Sequence, residues 1–166
     1  MYVENGTVPG ECTTTGFEGM ISVTSMSFSN EIELEVTTTN ATRTMHTIKI
    51  GDIELNRPFD LASVPMIDAM IAGRSLGTVK LHLLKPAGDQ TNSQVIFMTY
   101  TLFGTMVKSH AFNGDDSGQP TETLGLNFTK VLWHYHQQNP DATLKGQQPT
   151  GYNLLKGMRD VSTSPP

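Results

Sequence analysis

Between Val95 and Phe103 the chain carries apolar side chains on both faces of an extended strand: Val95, Phe97 and Phe103 on one, Ile96, Met98, Tyr100 and Leu102 on the other. A sheet with one face in water alternates apolar and polar residues instead. Both faces here must therefore be covered, by the chain itself or by a second subunit. We take Ile96, Met98, Tyr100 and Leu102 as the subunit-facing set.

The rest of the pattern is also mostly of period two. Short strands are expected near Tyr2–Val8 and Met20–Phe28. Glu31–Val36 alternates strictly, with Ile32, Leu34 and Val36 on one side and three glutamates on the other. Thr37–Thr44 is polar and without period, which predicts an exposed loop. In the following strand, about Met45–Arg57, the apolar phase switches across Gly51, which predicts a bulge or bend there. Further strands are expected near Thr78–Leu84, Gln94–His110 and Glu122–Gln137, the last with its own phase switch between Phe128 and Val131, and a short one at Tyr152–Leu155.

One segment has helical spacing, Val64–Ala72. Ser63 is placed to cap it and Pro65 is harmless in its first turn. Met66, Ile67, Met70 and Ile71 form the apolar stripe, and Gly73 ends it with Arg74 near the negative end. Many strands, one helix and no βα alternation predict a mainly β protein: an antiparallel β-barrel with one flanking α-helix. Residues 1–156 read as a single domain and 157–166 as a disordered tail.

Composition narrows the function. Charged residues are only 16%, against about 25% in typical globular chains, and the net charge is −5. No basic face for nucleic acid is expected. No apolar run approaches the roughly 20 residues of a membrane span, so no membrane insertion is expected. The N-terminus has neither a basic segment nor an apolar stretch, so no signal peptide is expected. The single cysteine, Cys12, excludes an internal disulfide.

The candidate chemistry is thin. His134 and His136 share a strand face, a spacing metals use, but no further ligand pair completes a zinc set. Cys12 lies beside Glu11, a neighbour expected to raise its thiol pKa, and reads as a turn residue. Asp115 and Asp116 are adjacent loop carboxylates, a solvated turn rather than an acid–base pair. Lys85-Pro86-Ala87-Gly88-Asp89 lacks the glycine spacing of a phosphate loop. No catalytic, metal or cofactor site is expected, and binding or structure is favoured over catalysis.

Several segments, in order, resemble the Hcp family, the tube protein of bacterial type VI secretion systems. Gly10-Glu11-Cys12 looks like the family's Gly-Glu-Ser. Phe17–Ile21 with Val23 and Ser25–Phe28 resembles its HxGWIEVLSFSW strand, although Met20 stands where Trp is usual. Asp60–Ser63 through Gly73-Arg74 resembles DKASPxLxxAxxxGK, with Pro65 one place late. Lys85–Asp89 is similar to the RAGGD turn. Pro120–Glu122, Leu126–Phe128 and Val131–Tyr135 look like PTExxxxxFxxIxWxY, and Gly151–Leu154 like the closing GWxL. The resemblance spans about Gly10 to Lys156.

The resemblance implies a homohexameric ring, stacked with other rings of itself into the inner tube of a contractile sheath on a baseplate. It also implies a spike protein at the tip, effector cargo in the lumen, and a passage from the cytoplasm to the medium or a target cell. In that setting Thr39, Asn40, Thr42, Arg43 and His46 are the expected ring-stacking loop. Asn113, Asp115, Asp116 and Ser117 are expected at the lumen or rim. A phage-like tail tube and a monomeric secreted β-barrel, a ligand binder or host-directed effector, are the alternatives.

Overall fold

The strand that is apolar on both faces is the longest among the described residues, and it belongs to two sheets at once. The computed structural model describes residues 1–36, 43–87, 94–114, 118–139 and 144–166; for 34–36, 43–47 and 144 the backbone alone is described. Along the chain come β1 (Tyr2–Asn5), β2 (Ile21–Ser22), β3 (Ser25–Val36), β4 (Arg43–Pro58), α1 (Ser63–Ile71), β5 (Gly77–Pro86), β6 (Gln94–Asn113), β7 (Thr121–Asn127), β8 (Lys130–Gln138), β9 (Leu144–Asn153) and β10 (Met158–Arg159).

All pairings are antiparallel. The first sheet runs β10-β9-β8-β6-β5-β1-β2. The second, β3-β4-β7, joins the C-terminal half of β6 through Met106–Asn113. The first half of β6 is sandwiched between β5 and β8. Among the described residues hydrogen bonds do not close the ladder, since β2 pairs only with β1 and β3 only with β4. The mainly β architecture with one flanking helix is as expected, in the form of an open, curled barrel.

The core lies between the sheets. Val3, Ile21, Ile53, Leu55, Val79, Leu81, Leu102, Leu124, Leu126 and Val131 fill it, with Met66 and Ala69 from α1. Each such side chain contributes about 1.5–3 kcal/mol by leaving water. Phe28 centres an aromatic group whose rings stand about 6 Å away: Tyr100 at 6.1 Å, Phe128 at 6.0 Å and Trp133 at 6.0 Å.

Both expected phase switches have a structural cause. At Gly51 the register slips: Phe28 faces Ile53, whereas Asn30 faces Ile50, so β4 carries one extra residue. A Cβ on Gly51 would stand 2.8 Å from the Ser29 carbonyl oxygen. Between Phe128 and Val131 the chain leaves the second sheet for the first, so the expected single strand is two, β7 and β8.

Four expectations need correction. Ser63 does not cap α1. The cap is Ala62, without a side-chain hydrogen bond, and Ser63 is wholly buried in a charge cluster. The buried helix face runs through Ser63, Met66 and Ala69, which leaves Ile71 77% exposed. The helix does end as expected: Gly73 (φ +61°) donates to the Met70 carbonyl and the Arg74 amide to that of Ala69.

The tail is not disordered. β10 pairs with β9, and residues 160–164 fold back onto Lys130. Polar composition hid this, because one buried lysine rather than an apolar stripe anchors the segment. Finally, β9 begins at Leu144, well before Tyr152. Gly146, Pro149 and Gly151 mask a strand in the sequence; among the described residues β9 pairs only with β8 over Leu144–Gly151, so Pro149 costs no second ladder bond.

Candidate functional site

The outward face of the second sheet is mainly polar over its described middle, with Met106, opposite Asn127, as an exposed apolar side chain. On β3, Ser25, Ser27 and Ser29 alternate with the inward Met26 and Phe28. On β4, Asp52, Glu54 and Asn56 alternate with the buried Ile53, Leu55 and Arg57. On β7, Thr123 and Asn127 alternate with Leu124 and Leu126, while Gly125 leaves room for Ser109 of β6, whose Oγ lies 2.2 Å from where a Cβ would stand.

These side chains bond across the strands. Asn56 donates to Ser25 Oγ (3.1 Å) and accepts from Thr123 Oγ1 (2.6 Å). Asn127 donates to Asp52 (2.7 Å), which also pairs with Lys108. Ser27 reaches Glu54 at 3.4 Å. Burial pushes the Asp52 carboxyl up, but the bonds from Asn127 and Lys108 and the lysine charge outweigh it and hold the group below the usual aspartate value. A shallow concavity of about 390 Å³ is lined by Ser27, Phe28, Ser29, Asp52 and Glu54. Such a surface can hydrogen-bond water and polar groups along its length, but among the described residues it carries no apolar patch to grip a ligand.

Behind this face the same strands turn charged residues inward. Arg57 and Glu122 are direct cross-strand partners, both with no exposed side-chain surface. Arg57 Nη1 lies 3.0 Å from Glu122 Oε1, and Nη2 pairs with Asp60. Ser63 Oγ donates to Glu122 (2.9 Å) and accepts from the Asp60 amide (2.9 Å). Glu122 Oε2 lies 2.9 Å from His110 Nε2. Arg57 Nε has no hydrogen-bond partner among the described residues. The cluster ties the start of α1 to β4, β6 and β7. The signal was present in the sequence: a charge in the inward phase of each of two strands.

The expected site residues do not gather in one place. Leu102 has no exposed surface and belongs to the chain's own core, so it cannot meet another subunit. The two-faced pattern was half an internal matter: from Tyr100 onward the inward face packs against Phe28 and the core. Ile96 and Met98, nearer the end of the β5–β6 hairpin, are half-buried, as are Val95 and Phe97. Thr39, Asn40 and Thr42 lie outside the described residues, as do Asp115, Asp116 and Ser117. Arg43 is paired with Val36 at the start of β4, His46 lies farther along it, and Asn113 ends β6 opposite Thr121.

Among the described residues no group of three histidine, cysteine or acidic side chains could hold a metal ion. The expected direction for Cys12 is reversed: burial raises its thiol, but hydrogen bonds from Thr14, Tyr2 and Ser22 prevail and lower it.

A family model described as "Type VI secretion system effector, Hcp" matches residues 1–135. No curated protein sequence matches significantly. Among solved structures, a type six secretion system protein superposes with a TM-score of 0.86 at 22% identity, covering 96% of this chain and 98% of the other. Hcp1 from Salmonella typhimurium gives 0.76 at 17% identity, over 96% and 97%. A type VI secretion system effector from Yersinia pestis gives 0.71 at 16%, over 92% and 98%. These likenesses carry the fold.

Proposed function

The chain belongs to the Hcp family of type VI secretion, a family of structural rather than enzymatic proteins, and from that premise we propose that it forms hexameric rings that stack into the inner tube of the secretion machine. The observation that carries the proposal is the polar, hydrogen-bonded face of the second sheet, flanked by strands with a free side. Among the described residues β3 pairs only with β4, and Met106–Asn113 of β6 only with β7. Exposed strand edges invite pairing with another chain. If β3 of one copy adds to β6 of the next, and the rotation closes, the polar faces join into a continuous wall with no open edge. That wall is the lumen, and its surface of hydroxyls, amides and carboxylates, wet along its length, lets unlike effectors pass without adhering.

In this reading Ile96 and Met98 meet a neighbouring subunit. Thr39, Asn40, Thr42, Arg43 and His46 contact the next ring, and Asn113, Asp115, Asp116 and Ser117 stand at the rim. The tube is built in the cytoplasm inside a sheath, on a baseplate, and leaves the cell with its spike and cargo. Negative-stain microscopy with light scattering tests it. Rings of six are expected at micromolar concentration, and a monomer under those conditions overturns the reading. Replacing residues Asn40–Thr44 with Gly/Ser should leave rings intact while tubes shorten.

A further inference from the structure

A row of polar side chains crosses the outward face of the first sheet, away from the proposed lumen. Glu4 Oε2 lies 3.1 Å from His82 Nε2, His82 Nδ1 3.3 Å from Thr99 Oγ1, and Thr99 Oγ1 3.1 Å from His136 Nε2. The register builds the row, since Thr99 stands opposite His82 on one side and His134 on the other. His82 and Thr99 are buried. The other oxygen of Glu4 accepts from Lys80 at 3.0 Å.

Elementary donor and acceptor roles give the row a direction. A carboxylate only accepts, so His82 Nε2 carries the proton that faces Glu4. In neutral His82, Nδ1 then accepts the Thr99 hydroxyl proton, and Thr99 Oγ1 accepts from His136 Nε2–H. One added proton is tolerated. On His136 it leaves every bond in place. On His82 it turns the Thr99 hydroxyl round toward His136, which then accepts as its other tautomer. Two added protons are not tolerated. Both rings would present N–H to one oxygen, the Thr99 proton would lose its acceptor, and two cations would flank a buried hydroxyl.

We propose that the Glu4–His82–Thr99–His136 row is an acid-sensitive fastener. It holds β8, and β9 beyond it, to the β1–β5–β6 part of the sheet above the imidazole range and lets them loosen once both rings are protonated. The groups facing it are Glu4 from β1, Lys80 from β5 and His134 from β8, with Lys145 on β9 beside a register irregularity. Burial, then the charges of His134 and His82, lower the His136 pKa. The folded chain therefore binds fewer protons than the unfolded one, and stability falls as pH drops below about 6.5, the ordinary histidine value. Glu4 is raised by burial but lowered more by the bonds and charges of Lys80 and His82, so it stays ionised through that window. Among the described residues β9 pairs only with β8 over Leu144–Gly151, which leaves this margin of the sheet free to open.

Hydrogen exchange from pH 7.5 to 5.5, corrected for intrinsic rates, tests the proposal. Protection of β8 and β9 amides should fall about tenfold relative to the rest of the sheet, the size expected when a buried hydroxyl proton loses its acceptor. H136Q should flatten that profile, and so should H82Q, which serves if H136Q does not fold. H134Q, whose ring is outside the row, should keep most of the fall. T99V should show low protection already at pH 7.5. A flat wild-type profile overturns the fastener, as does an unchanged fall in both H136Q and H82Q, or a fall abolished equally by H134Q.

Discussion

Arg57 and Lys130 are both strand cations with no exposed side-chain surface, yet they are held in different ways. The partners of Arg57 come from inside the fold: Glu122 across the β4–β7 ladder, and Asp60 just before α1. The partners of Lys130 come from the last residues of the chain: Asp160 at 3.0 Å, Ser162 Oγ at 2.8 Å and the Ser164 carbonyl at 3.1 Å, with the Phe103 ring 5.3 Å away. One cluster cannot open without separating two sheet strands from a helix. The other opens when a ten-residue segment lifts off. Equal burial therefore conceals unequal access to water, and access decides what a broken charge pair costs.

The largest effect is expected inside. E122Q leaves Arg57 buried with half its counter-charge and should cost about 3–5 kcal/mol in urea unfolding. Replacing both partners by apolar residues, R57M with E122L, removes the buried charge as well. The double-mutant cycle should then show a coupling of about 2–3 kcal/mol. Additivity within about 0.5 kcal/mol would mean that the two charges are held independently, and the contrast with Lys130 would collapse.

Outside, truncation after Lys156 should cost clearly less than E122Q, because water can replace every partner that Lys130 loses. The apolar floor of Phe103 and Leu132, 3% and 1% exposed and outside the main core cluster, should become accessible to a fluorescent apolar dye. A truncated chain as unstable as E122Q would show that the tail is a structural element of the same rank as the helix. Acid should release the tail without truncation. Hydrogen bonds from Ser162, and after them Lys130, hold the Asp160 carboxyl well below the usual carboxylate range. A depressed acid contributes stability above its unfolded value of about 3.9 and loses it as pH falls toward the folded value. Protease sensitivity of the last ten residues should thus stay flat at neutral pH and rise only below about pH 4. The histidine row acts in a higher window, so the two events can be told apart.

Much of this was legible in the sequence, and the rest was hidden for physical reasons. Period-two alternation located the long strands, and the Gly51 and Phe128–Val131 phase switches marked a bulge and a change of sheet. Alternation says which side chains share a face but not what covers that face. Leu102 and Ile96 are in the same sequence phase, but the register shift at Leu83/Leu84 turns Ile96 to the other face: the first is core and the second half-exposed. The polar lumen candidate followed from composition only as a class, because Ser27, Glu54 and Asn56 become neighbours through pairing of distant segments. The tail was opaque: Asp160, Ser162 and Ser164 look like linker residues until Lys130 is seen beneath them.

The smallest expected effect separates the two clusters most cleanly. Ser162 Oγ accepts from Lys130 and donates to Asp160 at 2.7 Å, but the residue is itself exposed. S162A should therefore change global stability by no more than about 0.5 kcal/mol, as surface substitutions do. It should still move the acid release of the tail, because Ser162 is the main group holding the Asp160 carboxyl down. Without it that carboxyl rises toward its ordinary value, and the protease-sensitive window shifts to higher pH. The same logic applied to Ser63, the hydroxyl bound to Glu122, gives the opposite balance. S63A removes a buried donor that water cannot replace and should cost about 1–3 kcal/mol. If S162A and S63A prove equally costly, the tail is sealed as tightly as the interior, and the distinction between a fixed and a releasable buried cation does not hold.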